Sequence, residues 1–295
     1  MPSRRTLSRV GIELCRHQIR AVRLSWTTPE TLHIHASSVV DAPSVVLDAL
    51  IAIRQCLHYQ NEATILGIHT EETIIKAISL EANLTSTEKM AYLQTQSMYL
   101  FGHAASELVI DFIPTVADQS PRESLLVVAA KRNYIDHLIQ LCKAAGFRLR
   151  AIDSCAFSLQ RVLPLLCKND SLAERVILIE LLPRALLFCA INNRQIIFTV
   201  EVDYAMTGDL PMEAILLSAF HRAWQLFQNA QPQQEKQLLL ILGHPQWACV
   251  MADRIRADMH LVVEVATLKK IYLPSDSLDS RLFASLGLAL WEASS

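Results

Sequence analysis

The strongest constraint on how this chain folds is an order of elements that occurs twice. Apolar runs mark strands at about residues 9–15, 18–26 and 31–39. A helix follows at about 43–59, with Val46, Leu50, Ile53 and Leu57 at helical spacing, and then the buried strand "ATILGIHT" at 63–70. The succession returns in "RVILIELLPRALLFCAINNRQIIFTVEV", three strands turning at "LPR" and "NNRQ". A helix from about Asp209 then carries Leu217, Phe220, Trp224 and Phe227 on one stripe, and "KQLLLILG" is a strand ending at Gly243. Duplication at this length predicts two similarly wound α/β halves.

Between the halves lies a stretch of different pattern. "ETIIKAISL" alternates as a strand. Thr85 stands three residues before Glu88, a capping-box spacing that predicts a helix running to about Phe101. "ELVIDFIPT" and "ESLLVVAAK" read as two strands, "NYIDHLIQLCKAAG" as a helix stopped by Gly146, and a sixth element runs as a strand toward Asp153. The run predicts a compact insert built on a helix-backed antiparallel sheet. A helix at about 154–167 and the polar linker "KNDSLAE" (168–174) lead into the second half.

Composition closes off several classes of function. A 52% hydrophobic, 19% charged chain of 295 residues has enough apolar surface to fold. A net charge of −2 gives no basic field for nucleic acid, and arginines 4, 5 and 9 form only a small patch. The most apolar segment, 175–191, is interrupted by Glu180, Pro183 and Arg184, short of the ~18 residues a spanning helix needs. No signal peptide is legible, and the expected location is cytoplasmic. Seven scattered cysteines lack a C-x-x-C pair, and His33 and His35 share one strand face without a third partner, so no metal site is expected.

With the quoted segments in hand, the chain resembles the type IV pilus assembly protein PilM family, and within it the divergent HofM/ComA-type relatives linked to DNA uptake. "RVGIELCRHQIRAVRLS" lies where the family has its V-G-I-D-I-G opening. "ISLEANLTSTEKMAYLQTQSMYLFG", "VIDFIPT", "LLVVAAKRNYIDHLIQLCKAAGFRLRAIDSCAFSLQRVL" and "SRLFASLGLALWE" follow in the family's order. The resemblance implies an actin-like fold of duplicated ribonuclease-H-like domains with an inserted α+β subdomain of the PilM/FtsA type. Its divisions fall at 1–71, 72–147 (the insert), 148–172, 173–275 and a C-terminal helix at 276–295.

An actin-like nucleotide site, by that resemblance, needs two D-x-G hairpins and a glycine-rich third turn. Their places here are Glu13-Leu14-Cys15, Glu180-Leu181-Leu182 and "LGHPQW". Both aspartates are glutamates, both glycines are lost, and Pro183 lacks a backbone donor. The chain holds 7 glycines, far below the average of about 7%. Any retained nucleotide would meet Gly11, Glu13, Arg16, His17, Glu180 and Gly243, with Arg184 as a further cation. The expectation is a degenerate site with no catalytic residues and no cofactor; the alternative is an ATP- and magnesium-binding switch or weak ATPase. The resemblance further implies a scaffold, peripheral to the inner membrane, that holds the cytoplasmic tail of a bitopic PilN-like protein alongside other pilus components. Ile74, Lys76, Tyr92, Gln96, Tyr99 and Leu100 are the candidate groove residues, between the first subdomain and the insert. Membrane contact would come only through that partner, and no direct nucleic-acid contact is expected.

Overall fold

The computed structural model describes residues 7–15, 17–26, 32–41, 46–69, 72–114, 122–166, 175–204, 210–231, 237–268 and 278–291. The expected linker at 168–174, Arg4, Arg5 and Arg16 lie outside them. The chain divides into two compact units, one comprising Met1–Ile68 with Cys142–Ser295, the other His69–Leu141.

Strands β1 (Leu7–Leu14), β2 (Gln18–Trp26), β3 (Leu32–Asp41), β4 (Ala63–Ile68) and β8 (Arg148–Ser154) form one sheet of the larger unit, in the order β3-β2-β1-β4-β8. Strands β9 (Arg175–Leu181), β10 (Ala185–Asn192), β11 (Gln195–Asp203), β12 (Gln237–Leu242) and β13 (Val262–Val265) form its counterpart, in the order β11-β10-β9-β12-β13. In each sheet three antiparallel strands are followed by two parallel ones. The duplication in the sequence is therefore a duplication in topology.

Helices α1 (Val46–Cys56), α5 (Cys155–Leu166), α6 (Met212–Ala230) and α7 (Pro245–Met259) belong to this unit. On α6 the residues Leu216, Phe220, Trp224 and Phe227 are buried, and Phe188 of β10 meets Phe227 with ring centroids 5.4 Å apart. Leu217, expected on that stripe, is only partly buried, because the buried face is centred one residue earlier. Val46 likewise opens α1 on its exposed side, while Leu50 and Ile53 carry the packing. The turn after β10 holds Asn193 and Arg194 at φ 47° and 63°, the left-handed pair that matches the twist of a tight hairpin.

Helix α8 (Phe283–Ala289) is buried at every position and packs on β1, β2, β4 and α5. It comes so close that side chains must be absent. A Cβ on Gly11 of β1 would lie 2.0 Å from the Ser285 carbonyl oxygen, and one on Gly287 would lie 1.9 Å from that of Ser158.

The smaller unit holds β5 (Thr73–Glu81), β6 (Leu108–Pro114) and β7 (Arg122–Lys131) in an antiparallel sheet ordered β5-β7-β6. Helices α2 (Ser86–Thr95) and α3 (Ser97–Phe101) contribute Leu93 and Phe101 to its core, with Leu80, Leu108, Leu125 and Val127 from the strands. Thr85 and Glu88 form the expected capping box. The expected single helix is two, broken at Gln96. The Thr95 hydroxyl donates to the Ala91 carbonyl at 2.8 Å, a back-bond that bends helices, and Gln96 leaves helical geometry at ψ 8°. Helix α4 (Arg132–Ala144) follows β7. The strand expected to close the insert is β8, which pairs in parallel with β4 of the larger unit. Local alternation identifies a strand but not its sheet.

Because backbone atoms bar the way, Gly11→Ala and Gly287→Ala should each destabilise the fold by at least about 2 kcal/mol, read by urea unfolding. Gly102→Ala, where nothing lies within 4 Å but φ is +74°, should cost about 1 kcal/mol.

Candidate functional site

Each half of the larger unit brings one glutamate to its first hairpin. The first turn closes with the Cys15 N–H donating to the Gln18 carbonyl at 2.9 Å, so Glu13 stands opposite Arg20 across the β1–β2 ladder. The second closes with Leu182 N–H donating to Ala185, also at 2.9 Å, just beyond Glu180 at the end of β9. Arg20 joins the two. Its Nη1 donates to Glu180 Oε1 at 2.9 Å and to the Arg281 carbonyl at 3.1 Å, and lies 3.6 Å from Glu13 Oε1. Its Nε and Nη2 donate to Gln18 Oε1 at 3.4 and 3.3 Å. The Arg20 side chain is 1% exposed, and those of Glu13 and Glu180 are 0% and 1%.

Burial alone would lower the Arg20 pKa. The Glu13 and Glu180 carboxylates outweigh it, with a contribution from Cys15, and hold the guanidinium charged above the ordinary arginine value. Glu13 is further contacted by the Cys15 thiol at 3.2 Å and the Ser285 hydroxyl at 3.5 Å.

The three turns grouped in the sequence do meet. Leu181, Leu182 and Pro183 of the second hairpin, His244 and Trp247 of the third turn, and Gln18 and Arg20 of the first hairpin surround one cleft of about 170 Å³. Drug-sized ligands occupy roughly 300–1,000 Å³. Gly243 keeps a left-handed φ of 125°, but Leu181 packs where its Cβ would be, at 2.7 Å. The Ser280 hydroxyl accepts from Gly243 N–H at 3.3 Å and donates to its carbonyl at 2.6 Å. Tyr204, buried so that its pKa is pushed up to about 12, donates to the Leu182 carbonyl. The Gly243 N–H, a donor that could face a phosphate, is thus engaged by the protein's own Ser280, and with the Arg20 guanidinium between Glu13 and Glu180 the residues present do not fit a magnesium–nucleotide pair.

Gly11 lies in β1 against α8, away from the turn, where it permits close packing. His17 is half-buried and Arg184 exposed at their turns. Sequence reading passed over Arg20. Its signal was register: a hairpin closed by Cys15 and Gln18 sets residue 20 opposite residue 13.

A model of the type IV pilus assembly protein PilM matches residues 11–215, more than half the chain. The chain belongs to the PilM family. No curated protein matches its sequence. Among solved structures, a PilM–PilN type IV pilus biogenesis complex is 12% identical, with 96% of this chain and 97% of that one covered at a TM-score of 0.73. The cytoplasmic domain of EpsL, an inner-membrane component of the type II secretion system of Vibrio cholerae, is 14% identical over 97% and 95%, with a TM-score of 0.56. A Bacteroides thetaiotaomicron protein with an actin-like ATPase fold and unknown function is 9% identical over 94% of each chain, at 0.53. The fold is actin-like.

In this PilM-family chain the six candidate groove residues all lie on the smaller unit. Ile74 and Leu100 pack against that unit's own core, and Lys76 Nζ donates to the Leu100 carbonyl. Gln96 is half-buried at the helix break. Tyr92 is 42% exposed, and Tyr99 is 86% exposed beside Met98 at 61%. Among the described residues no helix is long and apolar enough to cross a membrane.

Glu180→Ala should destabilise the larger unit by about 3–5 kcal/mol in urea unfolding at pH 7, since it strips a buried cation of its nearest carboxylate. Near the cleft, burial would raise the Asp279 pKa, but hydrogen bonds from the Arg281 side chain and backbone hold it below the ordinary value. Its contribution is complete above the unfolded carboxyl value of about 3.9 and is lost as pH falls through the lower folded value. Asp279→Asn should therefore flatten the acid limb of the stability–pH profile below about pH 4.

Proposed function

We propose that this PilM-family chain is a scaffold of the type IV pilus inner-membrane assembly complex that holds the cytoplasmic tail of a PilN-like bitopic protein without turning over nucleotide. The observation that carries the non-enzymatic part is Arg20, buried between Glu13 and Glu180 where an actin-like ATPase would need a metal and phosphate. PilM membership and the likeness to a PilM–PilN complex support the pilus role and the partner. A chain of this kind sits in the cytoplasm and reaches the inner membrane through its partner.

The smaller unit supplies the chemistry for holding a tail. Strand β5 is at the edge of its sheet among the described residues, so an extended peptide can pair with its outer side. Tyr92 on α2 and Met98 and Tyr99 on α3 are exposed and of the residue types that anchor interfaces. Helix α2, which carries Tyr92, is fixed by its cap and by the Lys89–Glu123 ion pair.

Titration of the PilN-like tail peptide by calorimetry should give micromolar affinity. The double variant Tyr92→Ala/Tyr99→Ala should weaken it at least about tenfold with an unchanged Tm, since both side chains are exposed. Folded protein that binds no tail at high micromolar concentration overturns the scaffold reading. Magnesium–ATP should leave Tm unchanged, whereas a ligand at a hundred times its Kd would stabilise by about 2.7 kcal/mol.

A further inference from the structure

We infer that Arg20 is an internal ligand. It takes the place between the two hairpins in which a bound cation would bridge Glu13 and Glu180, and so holds the two halves of the larger unit together without any small molecule. This deepens the nucleotide-independent reading above and rests on it.

The geometry is that of a coordinating centre more than of an ordinary ion pair. One nitrogen, Nη1, faces three oxygens: Glu180 Oε1 at 2.9 Å, the Arg281 carbonyl at 3.1 Å and Glu13 Oε1 at 3.6 Å. Those oxygens come from β9 of the second half, from the segment before α8 and from β1 of the first half. The bond to Glu180 joins residues 160 apart in the chain. Two buried carboxylates that approach one point repel unless a cation lies between them. An enzyme of this fold meets that need with a metal that arrives with its nucleotide. Here the cation is covalently part of β2, so it is present at every moment and cannot be exchanged or hydrolysed away. Its neighbour Gln18 fixes the other edge of the guanidinium and is itself held by Asp41, at 3.1 Å.

A consequence follows for the chain that lacks the guanidinium. Arg20→Ala would leave two carboxylates and a carbonyl facing one small void, a set of hard oxygen donors that suits a divalent cation. The wild type, with the position filled, should not respond to such ions.

The test is thermal unfolding of the full chain with and without millimolar magnesium, calcium or manganese chloride. Wild-type Tm should be indifferent to all three. Arg20→Ala should have a lower Tm at pH 7.5, which divalent cations raise by about 3 °C or more, as does mild acidification that protonates a glutamate. Arg20→Lys should retain part of the stability and remain insensitive to metal. The triple variant Glu13→Gln/Arg20→Ala/Glu180→Gln, which removes all three charges, should recover stability over Arg20→Ala and ignore metal. It also serves as the folded control if the single variant does not accumulate. An Arg20→Ala protein as stable as the wild type, one rescued by neither cation nor acid, a triple variant no more stable than the single, or a wild type stabilised by divalent cations would each overturn the inference. Loss of tail binding with these results intact would count against the scaffold reading alone.

Discussion

The contact between Arg20 and the two hairpin glutamates is the constraint on which the larger unit turns. A duplicated fold that points one acidic side chain from each half at a shared centre creates a problem of like charge in a place water scarcely reaches. Solvent, a bound metal or a side chain must answer it. In this chain a side chain does, and the rest of the neighbourhood follows from that solution. Leu181 and Leu182 fill space that glycine turns would leave open. Ser280 satisfies the Gly243 N–H and carbonyl, and Tyr204 the Leu182 carbonyl. The actin-like frame is retained while the cleft at its hairpins measures about 170 Å³.

Much of this frame is legible in the sequence because the physics involved is local. Period-2 and period-3.6 patterns, the Thr85–Glu88 cap and the two hairpin turns each depend on a few neighbouring residues. What escaped local reading depends on distant ones. The sheet to which β8 belongs is decided by β4, about eighty residues away. The break at Gln96 arises from a side-chain bond that competes with the helix. At the candidate site, the sequence located three turns and their lost glycines but not the residue that compensates for them. An arginine in a strand reads as solvent-facing by default. Only counting register from the turn sets it against Glu13, and only the second half supplies Glu180. Gly11 posed the converse difficulty: a glycine in a motif position has a packing duty that composition does not reveal.

The two units place their polar and aromatic side chains differently. In the larger one Arg20, Glu13 and Glu180 are buried and spent on one another, and the Cys189 thiol is pushed up to about 12 by burial. The smaller one has a modest core under a short sheet, yet displays Tyr92, Met98 and Tyr99 to solvent. Of these, Tyr92 lies on the capped helix α2 and Met98 and Tyr99 on the short α3 that follows the break at Gln96.

The burial of α8 sets an order of events in folding. Gly11 and the strand around it must meet a helix whose Ser285 reaches back to Glu13 across 272 positions. The floor of the first sheet therefore stays open until α8 docks. A contact of such long sequence separation forms late, because the intervening chain must be closed into a loop first. Until then an apolar strand with a bare glycine is available to chaperones, or to the wrong neighbour.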